Sequence, residues 1–83
     1  MENKITFENF KNTWETNVKP NRHPDVREGQ SLINYLGDIW LEEYKRISSI
    51  HFYDKSNIDC FFNDKLIPNT LKHLEEVWKN YPN

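Results

Sequence analysis

Residues 6–18 read TFENFKNTWETNV. Phe7, Phe10, Trp14 and Val18 recur at i, i+3, i+7 and i+11, which puts all four on one side of an α-helix. Thr6 supplies an N-cap hydroxyl, and Glu8 places a negative charge in the first turn, where the helix dipole favours it. Pro20 and Pro24 stop the run, and the stretch KPNRH at 19–23 is a turn-rich connector. A helix with an aromatic stripe is therefore the first element.

The same periodicity extends outward from it. Pro24 can occupy the first turn of a second helix, where its missing N–H is harmless, and Asp25 and Glu28 add negative charge there. Val26, Leu32, Ile33, Leu36 and Ile39 form its apolar side. Gly29 inside this pattern costs roughly 1 kcal/mol relative to alanine, so it is expected to admit another element at close range. Gly37-Asp38 predicts a stop and restart, with Gly37 closing the second helix and Asp38 capping a third. The alternative is one helix that bends at Gly37. Trp40, Tyr44 and Ile47 give the third apolar face. A last helix is expected over about 68–80, with Ile67, Leu71, Leu74, Trp78 and Tyr81 on its buried face and Pro82 after it.

Between them, residues 48–65 lose the 3.6-residue period. Ile50, Phe52, Tyr53, Ile58, Phe61 and Phe62 alternate with turn formers such as Asp54, Ser56, Asn57, Asp59, Asn63 and Asp64. The expected fold is all-α: one small compact bundle of three to four helices over residues 1–83, with one long aromatic-rich loop at about 48–65.

Composition bounds the function classes. The chain has 83 residues, enough for one domain, and a chain of this size buries roughly 60–65% of its unfolded surface, so the core is thin. Its net charge is −2 and its pI about 5.9, without a block of like charge. Direct nucleic-acid binding through phosphate neutralisation is not expected from that balance. Cys60 is the single cysteine, so no internal disulfide forms. MENKITFENF holds no signal-like apolar run, and no stretch approaches the roughly 18–20 apolar residues that span a membrane. Cytoplasmic residence and no membrane partner are the expectations.

Chemistry-bearing residues are few. His51, Asp54, Asp59, Cys60 and Asp64 share one loop, but their spacing fits neither a zinc site nor a calcium loop. Cys60 between apolar neighbours reads as a small buried hydrophobe rather than a nucleophile served by His51 or His73. The carboxylate pairs Glu42–Glu43 and Glu75–Glu76 read as solvated helix faces. Neither an enzyme, a metal site nor a cofactor is expected.

Two features point to binding instead. Arg27, Gln30 and Asn34 lie at i, i+3 and i+7 on one stripe of the second helix. They form either a recognition stripe or, the reading favoured here, a set of polar groups of which Gln30 and Asn34 hold the backbone of the aromatic loop. Second, twelve aromatic residues are many for so thin a core. A surplus drawn from Tyr35, Phe52, Tyr53 and Tyr81 would suit an interface, where aromatics are enriched, although each could instead expose only its polar edge. The candidate partner-binding residues are therefore Arg27, Gln30, Asn34, Tyr35, Phe52, Tyr53 and Tyr81.

Arg27-Glu28-Gly29-Gln30, Asn34-Tyr35-Leu36 and Asp59-Cys60-Phe61-Phe62-Asn63-Asp64, followed by the Leu71/Leu74 helix, resemble a pattern of small uncharacterised phage and prophage proteins: R-x-G-Q, N-x-L and D-P-F-[FY]-x-D before a final helix. The likeness covers about residues 23–75. Cys60 stands where that pattern has proline, and the segment from His51 to Ile58 is longer. The resemblance implies a mobile-element origin and, by analogy with anti-CRISPR proteins, a partner that is a host protein such as a defence nuclease. An antitoxin or immunity protein that neutralises a cognate toxin is the alternative, to be separated by gene neighbourhood. A weak nucleic-acid module using Lys65, Lys72 and Lys79 is the third. Nothing in the residues specifies an oligomeric state.

Overall fold

The computed structural model describes residues 5–49 and 58–82. Four α-helices follow one another: α1 (Phe7–Thr13), α2 (Glu28–Ile39), α3 (Leu41–Ser48) and α4 (Ile67–Val77). No strand occurs among the described residues. The radius of gyration is 12.3 Å, close to the roughly 12 Å of a packed chain of this length. The all-α bundle inferred from periodicity is the architecture. Phe52 and Tyr53, with His51, Asp54 and the middle of the 48–65 loop, lie outside the described residues.

Thr6 caps α1 as its position suggests, its hydroxyl accepting from the Asn9 N–H at 3.0 Å. The helix then widens into a π-helical turn over Trp14–Val18, closed by the Lys19 N–H on the Trp14 carbonyl at 2.7 Å. A local competitor sits at the widening: the Thr16 hydroxyl donates to the Asn12 carbonyl four residues back, occupying a ladder acceptor.

Two helix boundaries differ from the sequence expectation. Pro24 lies in a turn, and α2 starts only at Glu28 behind an extended Arg27. The Arg22 side chain explains the delay. Its Nε donates to the Val26 carbonyl at 2.8 Å and one terminal nitrogen to the Lys19 carbonyl at 2.6 Å, which ties the connector into a non-helical arc. The second difference is at Gly37. Helix α2 runs through it, with the Trp40 N–H still on the Leu36 carbonyl at 2.7 Å, and the break comes at Trp40, with φ −143° and ψ 80°. Asp38 is therefore in the last turn of α2 and caps nothing. Gly37 has no positive φ, and a Cβ there would meet the Tyr44 ring at 3.4 Å, an ordinary van der Waals contact.

The core is aromatic at its centre. Phe10, Trp14, Leu32, Ile33, Leu36, Trp40, Ile47, Cys60, Leu74 and Trp78 are buried. Trp78 is the hub, with ring centroids 5.0 Å from Phe10 and Tyr81 and 5.3 Å from Trp40. Its indole N–H donates to the Ile5 carbonyl at 2.8 Å and joins the two ends of the chain. The Trp14 N–H donates to Ser31 Oγ at 3.0 Å and so locks α1 to α2. Buried Trp40 has no hydrogen-bond partner for its N–H among the described residues, and its ring lies under the Arg46 guanidinium at 5.7 Å.

Candidate functional site

Two stretches singled out in the sequence, residues 27–30 and 59–64, meet in space. Gly29 opens α2 with its N–H free of the helix ladder, and that N–H donates to Asp64 Oδ1 at 2.9 Å. The Cys60 thiol donates to the Gly29 carbonyl at 3.4 Å. A Cβ on Gly29 would run into the Cys60 carbonyl oxygen, far inside van der Waals contact. Glycine is required here because the loop backbone passes against the helix, as its place in the pattern predicts.

The loop is also tied within itself. Phe61 N–H donates to Asp59 Oδ1 at 3.1 Å, Asn63 N–H to the Cys60 carbonyl at 3.2 Å, and Lys65 N–H to Asn63 Oδ1 at 3.0 Å. Buried Thr70 of α4 donates its hydroxyl to the Ile58 carbonyl at 2.6 Å. These bonds leave Phe62 on the outside, 77% exposed, with its ring against Phe61 at 4.7 Å. The sequence places the aromatic surplus at Tyr35, Phe52, Tyr53 and Tyr81, whereas the large aromatic exposed among the described residues is Phe62, which it did not single out.

The sequence candidates divide. Arg27 is exposed and Gln30 half-buried, beside Gly29 on the docked turn. Asn34 is exposed and one turn further on. The Gln30 and Asn34 side chains make no hydrogen bond among the described residues, so the loop hangs on the Gly29 backbone rather than on the polar stripe. Tyr35 and Tyr81 are half-buried: Tyr35 stacks on Phe10 at 5.0 Å, and Tyr81 packs on Trp78. Phe52 and Tyr53 lie outside the described residues. Asn34 and Tyr35 thus line one groove beside α2, whereas Arg27 and Gln30 flank Gly29, where the loop docks.

No family model, curated protein or solved structure matches the chain.

Chemistry at the corner is muted. Burial pushes the Cys60 thiol up to about 11, against a small opposing effect of a hydrogen bond with Thr70, so it stays protonated at neutral pH. His73 does not serve it, because its Nε2 lies 2.8 Å from Glu43 Oε2. Glu43 corrects the sequence reading: it is not on a solvated face but only 1% exposed, with Arg46 Nε on its other oxygen at 2.8 Å. No three metal-type side chains converge among the described residues. No helix among them is long and apolar enough to cross a membrane.

Proposed function

We propose that this chain is a binding protein that blocks a second protein by stoichiometric contact, in the manner of mobile-element inhibitors of host defence nucleases such as anti-CRISPR proteins. The observation that carries the reading is Phe62, a large aromatic held in water on a loop whose backbone is fastened to α2 and α4. Such a side chain keeps its apolar area available and loses little conformational freedom on binding, which is what an interface anchor needs. Arg27 and Gln30 beside the same turn supply a polar rim of the kind that surrounds a buried anchor. The likeness to phage proteins supports the class of partner, and two of the stretches that carry it, residues 27–30 and 59–64, meet at this corner.

The test is affinity purification from a host that carries its defence systems, with wild type and Phe62→Ala side by side. Truncating an interface anchor costs at least about 2 kcal/mol, roughly a 30-fold loss of affinity. Phe62→Ala is expected to release the captured partner while circular dichroism and melting stay as in wild type. Equal recovery of the same partner by both proteins sinks the reading.

A further inference from the structure

A groove of about 360 Å³ lies between the π-helical turn, the connector and the outer side of α2. Val18, Val26 and Tyr35 give it an apolar lining, and Asn17, Asn34 and Asp38 bring polar groups to it. Asn34 and Asp38 are four residues apart on one helix and so stand side by side. Asn17 comes from the π-helical turn, where the changed ladder resets the side-chain directions.

The charges around the groove are unequal in what they can still do. Arg22 and His23 border it, with Arg22 Nε and one terminal nitrogen and His23 Nδ1 engaged within the connector. Arg22 donates to the Val26 and Lys19 carbonyls and lies 3.9 Å from Glu28. His23 Nδ1 accepts the Asp25 N–H at 3.1 Å and sits 3.7 Å from the Asp25 carboxylate. The side chains of Asp38, Asn34 and Asn17 have neither a hydrogen bond nor an ion pair among the described residues. Asp38 also lies in the last turn of α2, where the helix dipole is negative, and that turn holds no basic residue. The last turn of α3, by contrast, holds Lys45 and Arg46. The end of α2 is thus an uncompensated negative site beside an apolar trough.

We propose that this groove receives an arginine side chain presented by a protein partner. The aliphatic stem would lie along Val18, Val26 and Tyr35, and the guanidinium would donate to the Asp38 carboxylate and to the amide oxygens of Asn34 and Asn17. Arginine suits the site better than lysine. Its planar fork carries five donors and matches several acceptors at once, and it is less strongly hydrated than an ammonium group. The inference rests on the reading above only in taking the partner to be a protein; its site does not include Phe62.

The experiment is a titration of the whole ¹⁵N-labelled chain with the capped tripeptides Gly-Arg-Gly, Gly-citrulline-Gly and Gly-Lys-Gly, followed by two-dimensional NMR. The arginine peptide is expected to move the side-chain amide signals of Asn17 and Asn34 and the backbone signal of Asp38. Both other peptides should bind at least tenfold more weakly. Asp38→Asn, at an exposed position without partners, should leave the spectrum of the free protein otherwise unchanged and weaken arginine binding at least tenfold. Phe62→Ala should bind the arginine peptide as wild type does, so that failure at one site is told apart from failure at the other. The proposal is overturned if no groove signal moves, if citrulline or lysine binds as well as arginine, or if Asp38→Asn binds unchanged.

Discussion

The start of α2 and the seam between α3 and α4 are each held by contacts between residues 30 to 35 positions apart, yet by different physics. At Gly29 the fastening is through backbone groups and steric fit: a backbone N–H on an exposed carboxylate, a thiol on a carbonyl, and room for a passing chain. At Glu43 it is ionic and buried. A carboxylate with almost no access to water has one oxygen on Arg46 and the other on His73. The corner at Gly29 can present a surface, because its bonds hold the loop backbone and leave Phe62 exposed. The ionic seam is turned inward and can only hold. A buried charge contributes little net stability when paired, but it makes the loss of either partner severe.

Breaking the seam should therefore have the largest effect. Glu43→Ala leaves Arg46 and His73 without their shared anion at a buried site, at a cost of about 3–5 kcal/mol. Arg46 keeps some access to water, which favours the lower end, and a loss of about 3 kcal/mol lowers the melting temperature by roughly 12–24 °C in a domain of this size. Calorimetry checks it; a shift under about 5 °C would show that the seam is not a keystone.

Breaking the corner should cost somewhat less. Gly29→Ala drives a methyl into the Cys60 carbonyl, and the obstacle is backbone, so the loop must move away from α2. Overpacking of this kind costs about 1–3 kcal/mol, and amide exchange should rise at Gly29 and over 58–64 while the α3–α4 seam stays protected. Uniform loss of protection would mean that the corner is not separable from the rest.

The smallest effect sharpens the same contrast through pH. The Cys60 thiol is raised from 9.0 to about 11 in the folded chain, so above pH 9 the unfolded chain ionises first and stability falls until the folded pKa is passed. By pH 10 on the order of 1 kcal/mol of the stability present at pH 7 should be gone. The difference between wild type and Cys60→Ala isolates this part from tyrosine and lysine titration. An alkaline limb that is identical in both would place the thiol in contact with water.

Much of this was legible one residue at a time. The stripe of Phe7, Phe10 and Trp14, the Thr6 cap and the final Leu71/Leu74/Trp78 face follow from short-range geometry, which periodicity encodes. Gly29 was legible as well, because a glycine inside a helical pattern asks for a close neighbour. Gly37, read as a helix stop, misled, since its conformational freedom goes unused and α2 runs through it. Glu43 was illegible: beside Glu42 and Lys45 it looks solvated, and its burial depends on where α4 brings His73. Phe62 was one aromatic among twelve until the Cys60 and Asp64 contacts turned it outward.

By itself, then, the sequence determined that this is a helical chain with aromatic stripes and a glycine that admits a passing loop. Each of those rests on residues within a turn or two of one another. Only the tertiary structure decided where α2 ends, which carboxylate is buried and which aromatic faces water. Those outcomes depend on pairs such as Gly29 with Cys60 and Glu43 with His73, whose meeting is decided by how the helices pack and not by any local preference.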